Sequence, residues 1–222
     1  MTFPIQKQFL LIFILSLLTG CSQKAAITGE TIQQALWGTD DINLDRQHIS
    51  DLPYASSYVK INNSARIFMV LAFAEENPHS GDMQLKWMSA DNAMIVTENG
   101  RVIKTLNLPQ HNLSAVTPRF GLFNFSSSQK QWRAIYDWQP DYDYDHTALI
   151  NSYQNGQQWV RSTLWKKRLN VWQEDIKFVG SSQHMQNVFW ADDQGQVLKS
   201  QQWLIPNQLY IEQEILKPYS SN

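Results

Sequence analysis

Five histidines, His48, His79, His111, His146 and His184, are scattered along the chain, with none of the short spacings that bring two imidazoles to one zinc ion. Asp141, Asp143 and Asp145 alternate as oxygen ligands do in a calcium loop, but His146 stands where the sharp turn needs glycine and Ser152 where the closing acid belongs. This run reads as a solvated sheet edge or loop, whose charges also discourage sheet-to-sheet pairing. Glu174 and Asp175 are neighbours, so on a strand they point to opposite faces and cannot work on one substrate atom. A Gly-x-Ser-x-Gly elbow and a phosphate-cradling glycine loop are both missing from the sequence. No catalytic residue, metal or cofactor is therefore expected, and the chain reads as a non-enzyme. A glycan hydrolase would need two carboxylates facing each other across a groove, roughly 5 to 10 Å apart.

The most specific chemistry belongs to the single cysteine, Cys21. Lys7 is followed by the apolar run 9–18. That run is about half the roughly 20 residues needed to cross a bilayer, so it reads as the core of a secretory signal. It ends in Leu18-Thr19-Gly20-Cys21, which resembles a bacterial lipobox. Small side chains let a peptidase reach the backbone, and the thiol is the nucleophile for diacylglyceryl transfer. A lone thiol makes no internal disulfide, so lipidation accounts for the whole cysteine count, and a plain signal with a chance cysteine is the lesser reading. The expected plan is a lipoprotein signal at 1–20, a lipid-anchored tether at 21–27 and one β-rich domain at 28–222. Several acyl chains, each buried methylene adding about 0.8 kcal/mol, hold such a protein on its membrane. Ser22 stands where lipoproteins retained in the inner membrane usually carry Asp, which points to the periplasmic side of the outer membrane. The tether reaches at most about 20 Å, so the body is expected close to the lipid.

The chain carries 18 Lys and Arg against 20 Asp and Glu, which gives nucleic-acid phosphates no broad basic surface. Charged residues make up 17% and aromatics 12%, so polarity comes from Gln, Asn and Ser. That profile suits a pleated sheet. Most tryptophans near strands should be core, where each buries a large area. A few flanked by amides could instead stack on sugar rings. Trp203, on the strand face of Lys199 and Gln201, is the foremost candidate for glycan or partner contact, with Trp87 and Arg101 beside it.

The positioning elements begin with a helix expected over 28–38, with Thr28 as its N-cap, Ile27 and Ile32 as a staple and Gly38 as its stop. From Ser50 onward the hydrophobic period is that of strands. Strands are expected at 58–61, 67–73, 83–89, then a hairpin over 94–106 turning at Asn99-Gly100. A two-residue turn there would pair Glu98 with Arg101 as an ion pair, Val96 with Ile103 and Met94 with Thr105. The segment 109–130 reads as an irregular connection, and strands resume at 133–138, 147–153, 158–165, 170–178, 187–191, 197–204 and 208–215. Asn155-Gly156 and Gln194-Gly195 are read as turns between them. The echo between 99–105 and 194–200 reads as one hairpin chemistry used twice. The whole implies a mainly β protein: a large antiparallel meander sheet, curled as a half-barrel or folded as a sandwich, with a short N-terminal helix.

Five segments in order, Leu52-Pro53-Tyr54-Ala55-Ser56, Trp87-Met-Ser-Ala-Asp91, Asn99-Gly-Arg-Val-Ile-Lys-Thr105, Val197-Leu-Lys-Ser-Gln-Gln202 and Leu216-Lys-Pro218, follow the lipobox. Together they resemble the YjbF family, the group 4 capsule polysaccharide lipoproteins. Leu106-Asn107-Leu108 replaces the glycine that the family usually places after the hairpin threonine. The resemblance implies an outer-membrane lipoprotein that serves exopolysaccharide or capsule production or export without catalysis. Its implied partner is an outer-membrane β-barrel of a polysaccharide secretion system, with the polysaccharide itself as a second contact. A lipid or lipoprotein carrier with an apolar half-barrel cavity is the alternative.

Overall fold

The structure, a computed structural model, describes residues 41–119, 125, 130–140 and 143–220. The expected signal, Cys21, the tether, the helix over 28–38 and Asp141 lie outside the described residues. A compact unit, Gly38–Asn222, carries every described element.

Among the described residues one short helix, α1 (Arg46–Asp51), precedes twelve strands. The Asp45 carboxylate caps α1 by accepting the His48 N–H at 2.8 Å. The strands are β1 (Ser56–Ile61), β2 (Ile67–Glu76), β3 (Met83–Met88), β4 (Met94–Glu98), β5 (Arg101–Leu106), β6 (Asn112–Pro118), β7 (Lys130–Gln139), β8 (Asp143–Arg161), β9 (Lys166–Phe178), β10 (His184–Ala191), β11 (Val197–Ile205) and β12 (Leu209–Lys217). They form one antiparallel sheet in the order β5-β4-β3-β2-β1-β12-β11-β10-β9-β8-β7-β6. The mainly β meander read from the sequence is thus present.

Its curvature follows from connectivity. β5 and β6 lie at opposite ends of the sheet order, yet only 107–111 separates them in sequence. At roughly 3.5 Å per residue such a link cannot cross a flat twelve-stranded sheet, so the sheet curls until its edges meet as a nearly closed barrel. Side chains bridge the seam: the Thr105 hydroxyl takes the Leu113 N–H at 2.9 Å and donates to Asn112 Oδ1 at 3.1 Å.

Strand alternation fills the inside. Leu198 and Leu204 of β11, Leu209, Ile211 and Ile215 of β12, and Ile176 and Phe178 of β9 belong to one buried cluster with Trp87, Trp138 and Met69. Burying each such side chain contributes about 1.5–3 kcal/mol.

Four sequence expectations change. The hairpin turns at Asn99-Gly100 as expected, with φ of 49° and 76°, but a bulge on β5 shifts its register. Glu98 still faces Arg101, whereas Val96 pairs with Lys104 and Met94 with Leu106. A bulge absorbs one extra residue, which periodicity alone does not reveal. Segment 109–130 contains β6, whose pairing with β7 closes one end of the sheet. Asn155-Gly156 makes no turn; it is a bulge inside the continuous β8. Finally, 158–165 is not one strand, because the chain reverses at 162–165, where Ser162 N–H meets the Trp165 carbonyl at 2.8 Å.

Candidate functional site

Inside the barrel, the β4–β5 tip reaches the opposite wall. The Gly100 carbonyl accepts from Gln202 Nε2 at 3.1 Å, and the Val102 N–H donates to Gln202 Oε1 at 3.0 Å. Beside this contact Arg101 donates to Glu174 Oε1 through Nε at 3.1 Å and through a terminal nitrogen at 2.5 Å. Only 5% of the Arg101 and 2% of the Glu174 side chain is exposed. The Ser152 hydroxyl donates to the same carboxylate oxygen at 2.7 Å and accepts from Trp132 Nε1 at 2.9 Å. The guanidinium lies 4.2 Å from the Phe125 ring centre and 5.3 Å from that of Phe189, close enough for cation–π attraction. Burial, and then the Glu174 charge, pushes the hydroxyl of nearby Tyr136 well above the usual tyrosine range, with Arg101 opposing.

A buried carboxylate engaged by a guanidinium and a hydroxyl among aromatic rings acts as a strut between the strands that carry them. The ion pair expected at the hairpin tip is therefore redistributed. Arg101 pairs with Glu174, while Glu98 accepts from Asn77 Nδ2 at 2.8 Å, Gln84 Nε2 at 2.9 Å and the Ser80 hydroxyl at 3.0 Å. The alternation rule correctly separates Glu174 from Asp175, the first inward and the second on the outer side.

The outer side of β7–β10 is polar and ordered. Register sets Gln131, Asn151, Asp175 and Gln186 side by side across four strands, with Arg133, Leu149, Lys177 and His184 as the next row. Asp175 accepts from the Tyr153 hydroxyl at 3.2 Å and from Gln186 Nε2 at 2.9 Å. Burial, and then the Asp175 charge, raises the Tyr153 pKa. A groove of about 470 Å³ runs here between Gln131, Arg133, Leu149, Asn151 and Lys177. Amides, a carboxylate and cations in rows suit a hydroxyl-rich ligand.

The sequence-expected contact residues divide into two groups. Lys199, Gln201 and Trp203 share the outer side of β11 and are half-buried. The Lys199 ammonium lies 5.2 Å from the Trp190 ring centre, and Trp203 packs on Tyr210 at 5.0 Å. Burial, followed by the Glu212 charge, pushes the Tyr210 hydroxyl up to about 12. Trp87 and Arg101 are interior, Trp87 donating Nε1 to the Thr97 hydroxyl at 2.9 Å. Trp87 and Lys199 both border a small cavity of about 170 Å³ beside Gly100 and Val197. The β7–β10 rows went unnoticed in the sequence, although polar residues at 149–153 and 173–177 carried the signal. Among the described residues no three His, Cys, Asp or Glu gather as metal ligands.

Comparison with known proteins adds three findings. The family described as "Group 4 capsule polysaccharide lipoprotein gfcB, YjbF" matches residues 29–216. Two curated proteins of Escherichia coli (strain K12) are similar along nearly their whole length. The uncharacterized lipoprotein GfcB is 32% identical over 208 residues, 90% of this chain and 94% of that one. The uncharacterized lipoprotein YjbF is 30% identical over 217 residues, 95% and 98% of the two chains. The crystal structure of the hypothetical lipoprotein YmcC from Escherichia coli (K12) superposes with a TM-score of 0.70 at 30% identity, covering 90% of this chain and 100% of that one.

Proposed function

The chain belongs to the YjbF family of group 4 capsule polysaccharide lipoproteins, and from that membership we propose that it is a non-catalytic accessory factor in exopolysaccharide or capsule production or export. Acyl chains on Cys21 hold it on the periplasmic side of the outer membrane. There it contacts the β-barrel of a polysaccharide secretion system, and the polymer, through its polar outer surface. The observation that carries this reading is the family match across 29–216.

The packing of the described interior residues favours this role over the lipid or lipoprotein carrier. A carrier needs an apolar cavity of roughly 300–1,000 Å³. Among the described residues the barrel interior is instead occupied by packed side chains and by the Arg101–Glu174 pair. The outer side of β7–β10, with amides in register and Leu149 exposed among them, supplies the chemistry a glycan or a barrel's periplasmic rim would meet.

The test is crosslinking followed by pull-down from native membranes. The expected result is outer-membrane fractionation, palmitate label on Cys21 and capture of a polysaccharide-secretion barrel. Recovery from the soluble periplasm with an unmodified thiol would overturn the location. Recovery of an acylated but unpartnered protein from polymer-producing cells would overturn the partner.

A further inference from the structure

The distal half of the β8–β9 hairpin carries a surface that the family reading leaves unused. The bulge between Gln154 and Gln157, with Gly156 at φ 77°, re-aims the ribbon. Beyond it Trp159 pairs with Arg168 and Arg161 with Lys166, and directly opposed residues of an antiparallel pair share a face. The other face carries Val160 and Leu169, which are buried in the core cluster, and Gln158, which accepts from Trp190 Nε1 at 2.8 Å. The hairpin therefore lies against the sheet by one face and turns Trp159, Arg161, Lys166 and Arg168 outward. Trp159 is 63% exposed, and the Lys166 ammonium lies 5.3 Å from its ring centre.

Three further observations define what this face fits. A chain of net charge −2 places four cations, Arg161, Lys166, Lys167 and Arg168, within 161–168. Among the described residues none of the four is in an ion pair. Two acids reached from this hairpin accept from neutral donors, Glu214 from the Ser162 hydroxyl at 2.6 Å and Asp193 from Asn170 Nδ2 at 3.1 Å. The surface is also held in place before any ligand arrives. Trp165 Nε1 donates to the Ile215 carbonyl at 2.9 Å, and Arg46 of α1 donates to the Thr163 carbonyl at 3.1 Å. That last bond ties the turn of this hairpin to α1.

Exposed tryptophan among unpaired cations is the composition of a membrane-interface contact, in which the indole enters the headgroup layer and the cations meet phosphate. We propose that the outward face of Trp159, Arg161, Lys166 and Arg168 docks on anionic phospholipid headgroups of the leaflet that holds the acyl chains. This fixes the orientation of the tethered body and leaves the β7–β10 rows free for polymer or partner. The inference rests on the lipid-anchor part of the functional reading and is independent of the polysaccharide part, which a polymer assay tests separately.

The experiment reconstitutes the full acylated chain in vesicles of brominated phosphatidylcholine, with and without phosphatidylglycerol, and records tryptophan emission. Subtracting the Trp159→Phe variant isolates the Trp159 signal. The expected result is bromine quenching of that signal only where phosphatidylglycerol is present. Removing three charges, at about fivefold each, should lower the docked-to-free ratio roughly 100-fold in the Arg161→Gln/Lys166→Gln/Arg168→Gln variant. Hydrogen exchange on the acylated protein without substitutions should show slowed amides at 157–169 on the anionic vesicles. Equal quenching on both vesicles, an unquenched Trp159, or slowing at 157–169 that follows an added acidic polysaccharide and not the anionic lipid would overturn membrane docking, the last by making the polymer the occupant.

Discussion

Asn-Gly occurs at 99–100 and again at 155–156, and the same dipeptide does two different things. At the first, both residues have positive φ, as a type I′ turn requires, and the chain reverses between β4 and β5. At the second only the glycine does, and β8 runs on through a bulge. Their surroundings differ more. A Cβ on Gly100 would meet Val197 Cβ at 2.4 Å, whereas one on Gly156 would find nothing within 4 Å. The first hairpin plugs the barrel and the second lies over its outside. A dipeptide sets local backbone preference; what packs on it decides whether it is an anchor or a bend.

This contrast is easiest to break at Arg101. Arg101→Met leaves the Glu174 carboxylate buried without its cation and should cost about 3–5 kcal/mol in urea unfolding. Arg161→Gln, on the exposed hairpin, should change stability by no more than about 0.5 kcal/mol. Equal costs at both sites would erase the distinction between strut and surface. Next comes Gly100→Ala, for which left-handed strain and the Val197 clash together predict a loss of about 2–4 kcal/mol. Gly156→Ala, at almost the same φ but in open space, should lose only about 1 kcal/mol. A Gly156 cost as large as that of Gly100 would mean that backbone conformation alone explains both.

The smallest effect at neutral pH grows in alkali. The Tyr136 pKa is raised from 10.0 by burial, and then by Glu174, so the folded protein holds this proton more tightly than the unfolded chain. The contribution is full below pH 10.0 and falls as pH rises toward the folded value, because the unfolded tyrosine ionises first. Tyr136→Phe should flatten the alkaline limb of a stability-against-pH curve. Tyr153→Phe, on the outer side, should flatten it less. Indistinguishable limbs for the two variants would contradict the inside–outside assignment.

The sequence made the ladder legible and left the closure hidden. Alternation along β11 put Lys199, Gln201 and Trp203 on one face, and Asn99-Gly100 located its turn. Bulges were invisible, because an inserted residue changes register without changing composition, so Val96 and Met94 acquired the wrong partners. β6 was masked by the Pro and Ser around it, and a bulge between Leu113 and Ala115 breaks its period of two. For the site, the outer position of Lys199, Gln201 and Trp203 was readable from period alone. The interior burial of Arg101 was not, since its partner Glu174 lies 73 residues away. Trp159 went unrecognised because its face depends on the bulge at 155–156.

The central claim is that a membrane-held, strand-built body serves polysaccharide production. The most direct measurement is surface and secreted polymer in a deletion strain, complemented either by the wild-type gene or by Cys21→Ser. The expected result is loss of polymer on deletion, full return with the wild type and little return with Cys21→Ser at equal protein level. Unchanged polymer after deletion, in a strain whose polymer output is confirmed, would contradict the account.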